Sequence, residues 1–232
     1  MNLEPLRDLK EIRFTAGGVS LGALATYRDV RTGNAGTQLP LLRLAAREVG
    51  ALAIQNRATW AGNIANASPA ADGVPALMAY DAQVELSSKN GIRAVSLSSF
   101  YRGYKQMDRR PDELITAISM PIPAPGWREY FRKVGSRRFQ AISKTLLAGR
   151  VLMAPDGTVE DVRMVFASVA PYTLRAIETE GLIRGKHLSP DLVEEAARAI
   201  QDEIHPIDDI RSTEAYRRKV TSNLVREFLE RV

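Results

Sequence analysis

The sequence predicts an α+β fold in two parts, and three observations predict it. Short alternating runs punctuated by Gly and Asn-Gly recur through the first half. A Pro/Gly-rich segment, Pro121-Ile-Pro-Ala-Pro-Gly126, separates them from three longer strand-like runs. The text then turns helical, with capping residues and apolar stripes at helical spacing. Strands followed by helices describe α+β. The division falls between residues 1–123 and 127–232.

Element by element, Ile12-Arg-Phe-Thr alternates, Gly17-Gly18 turns, and Val19-Ser-Leu-Gly follows as a second short strand. Thr26 before Tyr-Arg-Asp-Val, and Thr37 before Gln-Leu-Pro-Leu-Leu-Arg-Leu-Ala-Ala, have the side chain that caps helix N-termini. In the second helix Leu41, Leu44, Ala45 and Val49 recur at helical spacing and mark a core face. Asp72 stands where it would cap Val74-Pro-Ala-Leu-Met-Ala-Tyr. Proline fits that first turn, because its missing N–H would be unpaired there anyway.

Residues 82–88 and 92–97 flank Lys89-Asn-Gly and read as a β-hairpin, with Asn90-Gly91 supplying positive φ angles. Residues 112–120 return to alternation and stop at proline. Beyond the linker, residues 127–133, 141–151 and 159–167 read as three strands, the last two joined by an Asp156-Gly157 turn. Helices follow over 173–180 and after Ser189-Pro190, with Ser189 the cap and Leu192 in the core. In the last helix, residues 214–231, Val220, Leu224, Phe228 and Val232 form one stripe.

With 232 residues, 45% of them hydrophobic, the chain can bury a substantial core. No apolar run approaches the roughly 20 residues that span a bilayer. The start, MNLEPLRDLKEIRF, is charged and lacks the apolar region of a secretory signal. A cytoplasmic protein is expected. Zero cysteines exclude disulfides, a thiol nucleophile and iron–sulfur ligation by this chain. Two histidines, His187 and His205, do not have metal-binding spacing. The net charge is +5, but Lys and Arg are dispersed among 27 acidic residues. The short clusters Arg109-Arg110, Arg137-Arg138 and Arg217-Arg218-Lys219 lack interleaved aromatics, so nucleic acid is not the expected partner.

The most unusual text is ATWAGNIANASPAADG, residues 58–73, built from small residues with no clear helical or strand period. Small side chains let a ligand approach backbone N–H groups, and Gly62 has access to φ angles closed to others. Successive amides in a tight turn make an anion-binding concavity. Thr59, Asn63, Asn66 and Ser68 donate or accept without reaching far, and Asp72 offers a carboxylate to ribityl or ribose hydroxyls. The stretch therefore reads as a polar cradle for a nucleotide-like ligand. From spacing alone an ordinary small-residue turn, with Asp72 as a helix cap, is the more common source of such text.

The run Ala-Gly-Asn-Ile-Ala-Asn-Ala-Ser-Pro-Ala-Ala-Asp72, with Asp81-Ala82 after it, resembles the second flavin loop of the FAD-binding subunits of molybdenum hydroxylases. Leu21-Gly-Ala-Leu-Ala-Thr26, residues 111–121, Phe131-Arg-Lys-Val-Gly-Ser-Arg-Arg and Pro206-Ile-Asp-Asp-Ile-Arg-Ser-Thr-Glu-Ala-Tyr-Arg-Arg are similar to further segments of that family, in order along nearly the whole chain. The resemblance implies the second lobe of a vanillyl-alcohol-oxidase-type FAD-binding domain. A C-terminal domain follows, with a three-stranded antiparallel sheet packed on helices. It implies that Thr59, Gly62 and Asn63 line the pyrophosphate and isoalloxazine side of FAD, with Asn66 near the flavin and Asp72 binding the cofactor. It also implies that the Ile115 backbone meets the flavin and that Lys133 lies close to the ring system, where a cation stabilises charge on reduced flavin. Arg137 and Arg138 are expected at the surface or in a subunit contact.

This chain departs from the family pattern in two ways. Ala61 replaces the first glycine of the usual pair, which is harmless if φ there is negative. A preceding lobe with a glycine-rich diphosphate loop is not represented; Ala16-Gly17-Gly18 imitates its letters but reads by register as a strand turn. Either another polypeptide supplies that lobe, or the chain is truncated, or the site is vestigial. Weak FAD affinity and a colourless chain in isolation are expected.

The resemblance thus implies an electron-transfer subunit. A large molybdopterin subunit would oxidise the substrate, and a small subunit would relay electrons through [2Fe–2S] clusters to FAD and on to NAD or another acceptor. The alternative is a non-catalytic scaffold with a vestigial flavin site. A basic phosphate- or nucleic-acid-binding module stands third.

Overall fold

The computed structural model describes residue 3 and residues 5–232; Met1, Asn2 and Glu4 of the charged amino-terminal stretch lie outside the described residues. The elements are β1 (Ile12–Thr15), β2 (Gly18–Gly22), α1 (Tyr27–Thr32), α2 (Asn34–Gln38), α3 (Pro40–Glu48), α4 (Leu52–Gln55), α5 (Trp60–Asn66), α6 (Val74–Ala79), β3 (Gln83–Ser88) and β4 (Gly91–Ser96). There follow α7 (Leu97–Phe100), β5 (Tyr101–Gly103), β6 (Gln106–Met107) and β7 (Leu114–Met120). The second part holds β8 (Arg128–Val134), β9 (Thr145–Met153), β10 (Val159–Ala167), β11 (Leu174–Arg175), α8 (Ile177–Ile183), α9 (Pro190–Glu203) and α10 (Glu214–Arg231).

The first sheet is antiparallel with order β1-β2-β7-β3-β4, so the late strand β7 is inserted between the two hairpins. Val84 and Leu86 of β3 point into the core, as alternation requires. The β3–β4 hairpin forms where expected, with one difference. Gly91 alone takes positive φ (126°) and pairs with Ser88, leaving Lys89-Asn90 as the loop. Ser88 Oγ accepts the Asn90 N–H (3.1 Å), so the side chain supplies the turn bond that a left-handed Asn was expected to support.

Thr26 caps α1 as expected. Its hydroxyl accepts from Asp29 N (3.2 Å) while the Asp29 carboxylate accepts from Thr26 N (2.8 Å), a reciprocal capping box. Thr37 does not cap the next helix; it lies inside α2, and α3 starts at Pro40 without a side-chain cap. Proline has no N–H to satisfy, which removes part of the need for one. Leu41, Leu42, Ala45 and Ala46 are the buried face of α3, while Leu44 and Val49 are only half-buried. Asp72 is not the cap of α6 either: Gly73 occupies that position, and no side chain caps the helix.

The second sheet has four strands, β11-β10-β9-β8, where three were expected. The fourth, Leu174–Arg175, comes from text read as helical. Leu174 pairs with Phe166, and Ala176 N continues the ladder to Met164 O (2.9 Å) before α8 begins. An unpaired edge of β10 outweighed local helix preference there. β9 starts at Thr145 rather than at residue 141. The β9–β10 turn does use Gly157 at φ 85°.

β9 and β10 are buried on both faces. Leu146, Ala148, Val165 and Ala167 belong to the first core, with α3, α5 and α6. Leu147, Val151, Val162, Met164 and Phe166 belong to the second, with α8, α9 and α10. That explains the apolar runs Leu146-Leu147-Ala148 and Met164-Val165-Phe166-Ala167 within them. Ser189 caps α9 through Leu192 N (3.2 Å), as expected. Leu224 and Phe228 of α10 are buried, with Val220 and Val232 half-buried at the ends of the stripe.

Arg150 of β9 fastens the two parts together. Its guanidinium lies 4.4 Å from the Tyr80 ring centre and 4.1 Å from that of Trp127, and donates to Ala79 O (3.2 Å). Tyr80 Oη accepts from Leu41 N (3.1 Å) and donates to Glu129 Oε1 (2.6 Å).

Candidate flavin site

The first half of the small-residue stretch, Trp60–Asn66, is a short helix, and residues 67–73 continue as turn and bend. Thr59 caps α5, its hydroxyl accepting from Gly62 N (3.0 Å). Trp60, Ala61 and Ile64 form the buried face, at helical spacing that the surrounding alanines and asparagines obscure. Ala61 is helical and so has the negative φ at which its methyl is harmless. Gly62 is exposed; a Cβ there would meet only Thr59 Oγ1 at 2.9 Å. Tyr27 N bonds Ala58 O (3.1 Å) and Trp60 N bonds Ala25 O (3.3 Å), which fixes Thr59 beside Thr26.

The two ends of the stretch are stitched together. Asn63 Oδ1 accepts the Gly73 N–H (3.3 Å). Gly73 is required by close approach: a Cβ there would stand 2.3 Å from Tyr27 Oη and 3.1 Å from the Trp60 ring. Tyr27 and Trp60 pack with ring centres 4.3 Å apart, and Tyr27 Oη and Trp60 Nε1 are both buried without a hydrogen-bond partner.

Asp72 turns toward the second part of the molecule. Its Oδ2 accepts from Lys133 Nζ (2.7 Å) and its Oδ1 from Ser143 Oγ (2.6 Å). Lys133 also donates to Glu48 O (3.1 Å) at the end of α3. The side chains are 14% and 6% exposed, so this is a buried ion pair. Burial pushes the Asp72 carboxyl above the ordinary range, against the opposing pull of Lys133 and Ser143.

The expected site residues divide among surfaces. Thr59 opens on a cleft of about 530 Å³ together with Thr26, Asn56, Arg57 and Lys10. Lys133 lines a second cleft, about 440 Å³, with Arg132, Arg137 and Arg138. Asn66 is exposed at a third, about 680 Å³, on the side of Tyr104, Ile142 and Ser143. Ile115 lies in β7 opposite Leu86, nearly buried, in the sheet against which α5 packs. Sequence reasoning missed Ser143 and Gly73. Ser143 is 1% exposed, a burial that nothing in the local text Ala141-Ile-Ser-Lys-Thr signals. No group of three or more metal-ligating side chains occurs among the described residues, nor any helix long and apolar enough to cross a membrane.

A small-residue helix and turn packed on an antiparallel sheet is thus tied through Asp72 to a buried lysine of a second sheet, an arrangement whose relatives are flavoprotein subunits. A carbon monoxide dehydrogenase structure from Hydrogenophaga pseudoflava superposes with TM-score 0.91 at 27% identity, over 95% of this chain and 77% of that one. Residues 1–123 match the FAD binding domain in molybdopterin dehydrogenase, and residues 130–232 the CO dehydrogenase flavoprotein C-terminal domain. The glyceraldehyde dehydrogenase medium chain of Sulfolobus acidocaldarius is 31% identical over all of this chain and 82% of its own length. The carbon monoxide dehydrogenase medium chain of Hydrogenophaga pseudoflava is 26% identical, over 99% of this chain and 79% of its own length. The chain belongs to the FAD-binding medium subunits of the molybdenum hydroxylase family, of the CO dehydrogenase and xanthine dehydrogenase type.

Proposed function

We propose that this chain is the FAD-binding electron-transfer subunit of such a complex. In this reading it receives electrons from [2Fe–2S] clusters of a small partner and passes them to NAD or another acceptor. A large molybdopterin subunit carries the oxidation of substrate, and a separate chain supplying a further FAD lobe is compatible with the open clefts. Residues 1–123 act as the flavin-binding unit and 127–232 as the docking unit, in a cytoplasmic assembly.

The residues present fit the cofactor. Thr26, Thr59 and Asn56 supply hydroxyl and amide groups, with Lys10 and Arg57 as cations for a diphosphate, offset in part by the Asp29 carboxylate that holds Thr26 in the same cleft. Gly62 leaves backbone open where a side chain would stand in the way. Asn63 orders the turn through Gly73, and Asn66 and Ile115 flank it on the helix and the sheet. FAD supplies what no side chain here has, exchange of one or two electrons. The chain's own part is placement and electrostatics: Lys133, held by Asp72 and Glu48 O, keeps one N–H free to face negative charge. The single observation carrying the reading is this buried lysine, fixed beside a flavin-family turn that is still open.

Absorbance of the complex purified with its partner subunits tests it. Flavin bands, and FAD released near one per copy of this chain, are expected. A complex with its clusters intact but no flavin would favour the scaffold.

A further inference from the structure

Asp72 has one protein donor on each carboxylate oxygen: Lys133 on Oδ2 and Ser143 on Oδ1. Lys133 was expected at the site, whereas Ser143 lies in the β8–β9 connection, 71 positions away from Asp72, and is 1% exposed. A carboxylate with both oxygens engaged is fixed in rotamer and plane. With one donor removed it turns about its Cα–Cβ and Cβ–Cγ bonds and carries the remaining partner with it.

The hydroxyl of Ser143 is not needed to hold its own backbone. Ser143 O accepts from Ser168 Oγ (3.0 Å), and Ser168 N donates to Pro69 O (2.8 Å). Lys144 N bonds Val134 O (2.7 Å), and Lys144 O accepts from Arg217 Nη1 (2.7 Å). Three bonds therefore hold residues 143–144 without using Oγ, and the fourth anchors Ser168 in turn, so Oγ is left with Asp72 as its partner. Two parts of the chain meet at this carboxylate, and the second contributes both donors.

We propose that Ser143 is a positioning residue of the flavin site, holding Asp72 so that the Asp72–Lys133 pair keeps one orientation toward the cofactor. The proposal rests on the flavin reading above. In this role Ser143 acts through Asp72, the partner of its hydroxyl.

The test is a double-mutant cycle in the complex with its partner subunits, stripped of flavin and titrated with FAD. Ser143→Ala is expected to weaken FAD binding about tenfold, the scale of one hydrogen bond to a charged group, and to shift the bound-flavin absorption bands. Ser143→Cys, close in volume but a weak donor, is expected to do the same and stands in if the alanine variant fails to assemble. In an Asp72→Asn background the Ser143 substitution is expected to add little, because the group through which it acts has changed. Equal FAD affinity in Ser143→Ala and parent, or effects that simply add with Asp72→Asn, would overturn the role of Ser143 while leaving the flavin reading intact. A parent complex that takes up no FAD would overturn both.

Discussion

Lys133 Nζ lies 2.7 Å from Asp72 Oδ2, joining β8 of the second sheet to the turn that follows α5 of the first. Two charges have left water to make this contact, and little solvent remains to compensate either of them.

Lys133→Met should therefore cost about 3 kcal/mol near neutral pH, because it strands a buried carboxylate. Adding Asp72→Asn should recover part of the loss. Burial already raises the Asp72 carboxyl in the folded protein, so protonation relieves strain on the folded state. That relief is fully present below the unfolded value near 4 and fades as pH rises through the folded value. The deficit of Lys133→Met should accordingly shrink on acidification and grow toward neutrality. Chemical denaturation of parent and variants across that range checks it; a deficit that grows in acid would contradict the assignment.

Arg150 carries a second junction. Its guanidinium is stacked between Tyr80 and Trp127, and Trp127 is half-buried at the edge of the linker. Trp127→Ala should lose about 2 kcal/mol, combining a cation–π contact with lost apolar cover. Trp127→Phe should retain most of it. Urea midpoints of the three proteins measure the difference, with the phenylalanine variant expected close to the parent.

What could be read in advance follows the range of the interaction. The hairpin at Gly91, the Thr26 cap and the Ser189-Pro190 start are local, and each formed; the reciprocal bond from Asp29 came with the structure. β11 was hidden because its stability comes from the edge of β10, eight residues or more away in register. α5 was hidden because alanine and asparagine dilute the Trp60–Ile64 spacing. At the site, Thr59 and Gly62 were singled out separately, and the cap that joins them became visible only with α5. The Ser143–Asp72 bond spans 71 positions and no spacing rule reaches it. Family resemblance, not periodicity, pointed to Lys133.

Acid should expose a different dependence. Arg93 donates to both oxygens of Glu113 (2.6 and 2.9 Å), and Arg110 N adds a third bond (2.7 Å). The Arg93 hydrogen bonds, helped by the Arg110 N–H, hold the Glu113 carboxyl down to about 2. A depressed carboxylate contributes stability above its unfolded value, which is lost as pH falls through the folded one. Parent and Glu113→Gln should thus differ in thermal midpoint at pH 6. They should converge between pH 4 and 2, the window from a typical free glutamate of about 4.3 to the folded value. A difference that persists unchanged at pH 2.5 would mean the carboxylate charge is not what matters.

Gly149 decides how α10 sits on the second sheet. It lies in the middle of β9, where glycine normally weakens a strand by offering no side chain to pack. Here the missing side chain is what the packing requires: a Cβ at Gly149 would stand 2.9 Å from two ring carbons of Phe228, which is completely buried on α10. The ring in turn packs on Tyr130 with centres 5.5 Å apart, so it has little room to withdraw. Gly149→Ala should force α10 outward or Phe228 off its rotamer and cost about 1–3 kcal/mol, the usual range for overpacking a filled core. The strand itself prefers alanine to glycine, so any loss must come from the helix contact. Adding Phe228→Leu should then recover stability in the alanine variant, although the same change alone opens a cavity and destabilises the parent. A thermal-melt cycle over the four proteins gives the coupling. If Phe228→Leu harms both backgrounds equally, the ring and the glycine do not compete for the same space.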